Sequence, residues 1–86
     1  MDQEFNISFK LGTKTDTQVL HDWIYHNLYE SSKEIYLSAV HDIGPFSNLT
    51  IKGKLNIQAS RNFEIKEIAE LLGNPPEGIT DFKIES

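Results

Sequence analysis

Residues 49–59 read LTIKGKLNIQA and decide the fold, because apolar and polar residues alternate along them. The apolar set is Leu49, Ile51, Leu55, Ile57 and Ala59, and the polar set is Thr50, Lys52, Lys54, Asn56 and Gln58. Side chains of a strand point alternately to the two faces of a sheet, so this period of two predicts a strand with one buried and one solvated face. A sheet that is covered on a single side follows.

Similar alternation marks the two ends of the chain. In residues 4–11 the apolar positions are Phe5, Ile7, Phe9 and Leu11. A shorter strand is predicted over residues 79–84, with Phe82 and Ile84 directed inward and Lys83 outward.

Residues 34–43 predict the strand that precedes 49–59. The expected core-facing set is Ile35, Leu37, Ala39 and Ile43, and the expected solvent-facing set is Tyr36, Ser38 and Asp42. Val40 is an apolar exception on the polar side. The sequence GPFSN at 44–48 has the residues that turns need, so it predicts a hairpin between the two strands.

Two amphipathic helices are predicted between the strands. The first runs over about residues 15–31, where Thr15 and Gln18 have the spacing of a capping box. Its apolar stripe is Val19, Leu20, Trp23, Ile24 and Leu28, at spacings of three and four. The second carries Ile65, Ile68, Ala69 and Leu72, with a cap expected within 60–62 and an end at Gly73 before two prolines.

The element order is therefore strand, helix, strand, strand, helix, strand, which is the split βαβ arrangement of ferredoxin-like domains. Right-handed crossovers then place both helices on one face of a four-stranded antiparallel sheet and make the first and third strands central. We expect one small α+β domain over residues 1–86, since a chain of this length has room for a single core.

Composition excludes several classes of function. The chain has 13 acidic and 8 basic residues and a net charge of −5, which makes duplex DNA an improbable partner and disfavours an anionic membrane surface. It has no cysteine, no basic leader and no apolar run near the roughly 20 residues that span a bilayer. We therefore expect a cytoplasmic protein that does not enter a membrane.

No constellation of catalytic or metal-binding residues stands out. His21 and His26 are five residues apart, about 140° around a helix, so they cannot hold one metal ion as an i, i+4 pair could. A Gly-x-Ser-x-Gly nucleophile motif is absent from the sequence. The prediction is a protein that is not an enzyme, with no metal site and no cofactor.

One candidate binding surface lies on the first helix, opposite its apolar stripe. Asp22, Tyr25, His26 and Tyr29 recur at i, i+3, i+4 and i+7 and predict a water-facing stripe. Tyrosines are favoured as anchors at protein interfaces, so this stripe predicts a surface that binds another protein. The alternative is that the rings lie over neighbouring side chains, or that the true core face of the helix is rotated by one residue from the predicted one.

A second candidate surface is the uncovered face of the sheet, where lysines collect. The residues concerned are Lys10, Lys52, Lys54 and Lys83, with Tyr36 on an outer strand. A lysine stripe could track a single strand of nucleic acid, as RNA-recognition domains do with this face. Those domains stack bases on aromatic residues of the central strands, whereas 49–59 has none, so a solvated polar face is the favoured interpretation.

The sequence as a whole predicts a small, non-enzymatic macromolecule-binding module that acts on another protein as an inhibitor, adaptor or regulator. Single-stranded nucleic-acid binding is the alternative, and a homodimer through the sheet face or the second strand is compatible with both. Abundant Ile, Lys, Asn, Asp and Glu with three Ala are typical of an AT-rich genome, which a phage or mobile element of a low-GC bacterium would have.

Overall fold

The structure is a computed structural model that describes residues 1–41, 43 and 50–86. Its elements are β1 (Asp2–Leu11), α1 (Thr17–Ile24), a π-helix (Tyr25–Glu30), β2 (Ile35–His41), β3 (Thr50–Ala59), α2 (Ile65–Leu72) and β4 (Ile79–Glu85). The strands form one antiparallel sheet in the order β2-β3-β1-β4. The predicted βαββαβ order and the central position of the first and third strands are confirmed. The predicted turn at 44–48, with Asp42 and Leu49, lies outside the described residues.

Both helices pack on the same face of the sheet and enclose one core. The largest fully buried side chains come from the helical segments and the two central strands: Phe9, Leu20, Ile24, Leu28, Ile51, Leu55, Ile57 and Ile68. Phe82 and Ile84 of β4 pack at the border of this core, as predicted. The other face of the sheet, which we call the open face, carries no helix among the described residues.

The prediction for β2 was wrong for residues 37–40, whereas Tyr36 is exposed and Ile43 packs against the core, as expected. Ile35 pairs with Ala59 and Leu37 pairs with Gln58, so an extra residue, Tyr36, is inserted as a β-bulge. An inserted residue exchanges the two faces of the strand that follows it. Leu37 and Ala39 therefore point to the open face, and Leu37 is 41% exposed. Ser38 and Val40 turn inward, and Val40 is 8% exposed.

The helix caps also differ from the predicted ones. Asp16, rather than Thr15, caps α1, because its carboxylate accepts a hydrogen bond of 2.8 Å from the backbone N–H of Gln18. Helix α2 begins after Glu64, which forms a reciprocal capping box with Glu67, and not within 60–62. Gly73 ends α2 with a positive φ of 67°, as expected of a C-terminal glycine.

Arg61, which lies in the predicted cap segment, instead forms an ion-pair network. Its Nε lies 2.7 Å from Glu34 Oε2 and its Nη2 lies 2.7 Å from Glu67 Oε2. The guanidinium also lies over the ring of Phe63, 4.0 Å from the centroid. Hydrogen bonding to Arg61 lowers the pKa of Glu67, and hydrogen bonds to Glu67 and Glu34 raise the pKa of Arg61 above its ordinary value.

The second half of the predicted first helix is a π-helix, Tyr25–Glu30, rather than a continuation of α1. π-helical turns are rare and occur often at functional sites. The side chain of Asn27 leaves this segment to donate a hydrogen bond of 2.7 Å to the carbonyl oxygen of Leu72 in α2. The hydroxyl of Ser31 donates to the carbonyl oxygen of His26 at 2.9 Å and closes the end of the segment.

Candidate interaction surfaces

An exposed cluster of Tyr25, His26, Tyr29 and Glu30 occupies the π-helix, and we call it the tyrosine patch. The rings of Tyr25 and Tyr29 stack with centroids 4.9 Å apart and planes inclined by 20°. The ring of His26 meets Tyr25 edge-on at 5.7 Å. Nδ1 of His26 lies 2.9 Å from Oε2 of Glu30, which holds the imidazole in place.

Three of the four residues predicted for this surface are brought together, and Asp22 is not among them. Its carboxylate accepts a hydrogen bond of 2.8 Å from the side chain of Gln18, within α1. Glu30 belongs to the cluster and was missed by the sequence analysis. Its i, i+4 spacing from His26 is the signal that could have identified it.

The two tyrosines remain accessible although they cover each other. Stacking of the rings on one another is part of what the alternative interpretation of the stripe expects. Even so, Tyr25 is 43% and Tyr29 40% exposed. A partner could therefore still bury a large part of both rings, which are already held in one orientation.

The backbone beneath the patch is anchored in two ways. Ile24 and Leu28 are buried in the core on the inner side of the same segment. Asn27 ties the segment to α2 through its bond to Leu72. A surface on such a support loses little conformational freedom when a partner binds, which favours affinity.

The open face is arranged in five rows that cross the strands, with β1 in each of them. From one end of β1 to the other the rows are Asp2 with Gln58 and Leu37, Glu4 with Asn56 and Ala39, Asn6 with Lys54, His41 and Glu85, Ser8 with Lys52 and Lys83, and Lys10 with Thr50 and Thr80. Neighbouring rows are about 7 Å apart, because two residues of a strand separate them. These rows identify the cross-strand neighbours of each lysine predicted for this face.

Two of the four predicted lysines are already paired with carboxylates. Lys10 Nζ lies 3.3 Å from Asp81 Oδ2, and Lys54 Nζ lies 3.3 Å from Glu4 Oε1. Lys52 and Lys83 lie on either side of Ser8 and have no carboxylate oxygen within 4.0 Å among the described residues. The basic part of the face is therefore concentrated in this row.

Tyr36 does not join the lysines. Together with Leu37 it lies at the opposite end of the open face, beside Gln58 and about 20 Å from the row of Lys52 and Lys83. Tyr36 is 59% exposed and Leu37 is 41% exposed, so an apolar corner is formed there. Leu37 borders a shallow depression of about 370 Å³ that also includes His41. This corner was not predicted, because the period of two assigned Leu37 to the core.

The net charge is distributed unevenly between the two sides of the sheet. On the open face, four lysines are balanced by four carboxylates: Asp2, Glu4, Asp81 and Glu85. The described residues of the helices and loops carry eight carboxylates and four basic side chains, a net charge of −4. The side that carries the tyrosine patch is thus the acidic side.

The described residues contain no group of three or more His, Asp and Glu side chains arranged to hold a metal ion. Each helix among them is too short or too polar to cross a membrane. Comparison of the chain with protein-family models, with curated proteins and with solved structures gives no match. Function must accordingly be inferred from the geometry of the two surfaces.

Proposed function

We propose that this protein is a non-enzymatic binding module that docks another protein on the tyrosine patch. The observation that carries the proposal is the stacked pair of Tyr25 and Tyr29, exposed and held on an anchored π-helix. Tyrosine supplies large contact area at small entropic cost and is enriched among the residues that dominate interface energetics. Orienting the two rings before binding lowers that cost further.

The partner that suits this surface presents Lys or Arg side chains. Two tyrosine faces can accept a cation, and the Glu30 carboxylate lies beside them. The acidic balance of the helical side attracts a basic partner from a distance and repels an acidic one. A basic surface or segment of a protein is therefore the proposed ligand.

A module of this kind acts by occupying its partner, so we propose a role as an inhibitor, adaptor or regulatory subunit. A cytoplasmic location fits the cysteine-free sequence. The AT-rich residue usage fits a phage or a mobile element as its source, and an inhibitor of a host protein is a role such a small chain could fill.

The test compares three tagged proteins in nuclease-treated lysate: wild type, Tyr25→Ala/Tyr29→Ala and Tyr36→Ala. Tyr36 is the matched control, since it is an exposed tyrosine on the other side of the sheet. We expect a protein retained by wild type and by Tyr36→Ala to bind the double variant at least about tenfold more weakly. Circular dichroism checks that all three are folded, and equal retention by the double variant would refute the proposal.

Single-stranded nucleic acid remains the second candidate, and one observation favours it: Lys52 and Lys83 flank Ser8 without carboxylate partners among the described residues. Two phosphate contacts predict that log K falls with log salt with a slope of about −1.4. Binding of a labelled oligonucleotide by Lys52→Ala/Lys83→Ala, with Lys14→Ala/Lys33→Ala as control, tests this. Loss of oligonucleotide binding in Lys52→Ala/Lys83→Ala alone would support nucleic-acid binding by this face. Binding that does not weaken as salt is added would exclude it.

A further inference from the structure

The charges of the open face are sorted along the strands. At one end, the rows of Asp2 and Glu4 carry two negative charges. In the middle row, Lys54 and Glu85 balance each other. At the other end are three lysines and one carboxylate, which leave a net charge of +2: Lys10, Lys52, Lys83 and Asp81. The face therefore runs from negative through neutral to positive.

The two ends of the face are complementary in charge, so the negative end of one copy can meet the positive end of a second copy whose strands run in the opposite direction. The middle row is centred on Asn6 of β1, with two rows on each side of it. If a second copy is laid on the face with its strands reversed about Asn6, Asp2 of one copy lies opposite Lys10 of the other. Glu4 then lies opposite Ser8, between Lys52 and Lys83 of the second copy. The contact between an acidic end and a basic end therefore occurs twice in such a pair, while the middle row meets its own copy, with Lys54 opposite Lys54 and Glu85 opposite Glu85.

We propose that the open face binds a second copy of this chain, with a two-fold axis that lies in the interface, perpendicular to the strands and close to Asn6. Closed homodimers use the same surface on both subunits, so that surface must complement itself. An axis parallel to the strands would place acidic end on acidic end, which opposes association. The charges of the two ends of the face thus favour this axis over the parallel one.

The size of the face is sufficient for a weak dimer. Four strands and five rows at ordinary sheet spacings cover about 500 Å² per copy, or about 1,000 Å² in total, which is the lower end of specific interfaces. The exposed corner of Tyr36 and Leu37 supplies apolar surface at the rim. The dimer should therefore depend on concentration and weaken as salt is added.

A dimer formed through the open faces leaves the helical side of each copy free to bind a partner. The tyrosine patch is on the helical side, so both patches stay accessible when two open faces meet. Such a dimer presents two patches and could bind a partner with repeated sites more tightly than one copy does. Association itself does not depend on the patch, so Tyr25→Ala/Tyr29→Ala should dimerise like wild type.

Charge reversal at each end tests the arrangement by sedimentation velocity over a range of concentrations. Asp2→Lys/Glu4→Lys makes both ends positive, and Lys52→Glu/Lys83→Glu makes both ends negative. We expect wild type to move from 9.8 kDa toward twice that mass with rising concentration. Each variant alone should dimerise at least about tenfold more weakly, and an equimolar mixture of the two should recover the wild-type affinity, because opposite ends again meet.

A matched control separates this effect from net charge. Glu70→Lys/Glu77→Lys makes the same change in total charge as Asp2→Lys/Glu4→Lys, but on the helical side, and should dimerise like wild type or better. Recovery in the mixture also shows that both variants are folded. A monomeric wild type, or a mixture that stays monomeric, would overturn the proposal. Oligonucleotide binding by a monomer, lost in Lys52→Glu/Lys83→Glu, would assign the face to nucleic acid instead.

Discussion

The side chain of Asn27 donates a hydrogen bond of 2.7 Å to the carbonyl oxygen of Leu72, which joins the π-helix to the end of α2. Carbonyl groups in the last turn of a helix have no partner within the helix, so this amide satisfies one of them. The bond links residues 45 positions apart in the chain. It connects the support of the tyrosine patch to the second helix.

Asn27→Ala should therefore destabilise the fold. The carbonyl of Leu72 would lose its partner in a partly buried place, which costs about 1 to 2 kcal/mol. Urea denaturation followed by circular dichroism measures the loss. Asn74→Ala, at an exposed position just after α2, is the control and should change the free energy of unfolding by less than about 0.5 kcal/mol. Equal effects of the two substitutions would contradict the structural role of Asn27.

The β-bulge at Tyr36 predicts an inverted ranking of two substitutions in β2. Val40→Ala removes buried apolar surface and should cost about 2 kcal/mol, because Val40 is 8% exposed. Leu37→Ala removes a larger side chain but should cost less than about 1 kcal/mol, because Leu37 is 41% exposed. Chemical denaturation of both variants decides between this register and an unbulged strand, in which Leu37→Ala would be the more damaging.

Gly78 cannot be replaced without strain. Its φ is +95°, and a β-carbon there would collide with the side chain of Thr15. We expect Gly78→Ala to destabilise the fold by at least about 2 kcal/mol. Gly73→Ala, at a φ of +67° in open space, is the control for backbone strain alone and should cost about 1 kcal/mol.

A second substitution separates the two causes at Gly78. Adding Thr15→Ala should recover the part of the loss that comes from the collision and leave the part that comes from the positive φ. The measurement is a double-mutant cycle of unfolding free energies. Additive losses would show that the two residues are not in contact.

The bond between Arg61 and Glu67 predicts a stability difference that depends on pH. Arg61 lowers the pKa of Glu67, so the charged Glu67 side chain stabilises the folded state. This contribution to the free energy of unfolding is fully present above the ordinary glutamate pKa of about 4.3 and is lost as the pH falls through the lowered pKa. Glu67→Gln keeps a residue that suits the capping box but removes the charge. It should have a lower urea midpoint than wild type at neutral pH.

The two midpoints should then converge as the pH falls through that lowered pKa and Glu67 becomes protonated in wild type. Glu70→Gln, a neighbouring exposed carboxylate on the same helix, should not reproduce this convergence. A constant difference between Glu67→Gln and wild type across the pH range would show that the charge of Glu67 is not what stabilises the network.

The regular parts of the fold could be predicted because their signal is local. Apolar residues at alternate positions of β3 can be buried only if the strand faces a core, and Ile51, Leu55, Ile57 and Ala59 are all at most 1% exposed. The stripe of α1 gave a similar signal through Leu20, Trp23 and Ile24. Candidate site residues were predicted with the same periodicity, which explains why Tyr25, His26 and Tyr29 were found together.

The misassigned residues lie where the outcome depends on structure that a local sequence pattern does not contain. Leu37 and Val40 exchanged faces because one inserted residue, Tyr36, reverses the alternation, and nothing in a period of two indicates where an insertion falls. Thr15 and Asp16 are both competent caps, and the choice between them depends on the path by which the chain enters α1.

The sequence by itself determined the order of the elements, the core residues of β1, β3 and α1 and the helix that carries exposed tyrosines, since each depends on spacing within a short segment. Only the tertiary structure decided the bulge in β2, the π-helix beneath the tyrosines and the register that sorts the charges of the open face. These features arise from bonds between residues far apart in the chain, such as Asn27 and Leu72 or Asn6 and Lys54. Such pairings become defined only when the segments pack together.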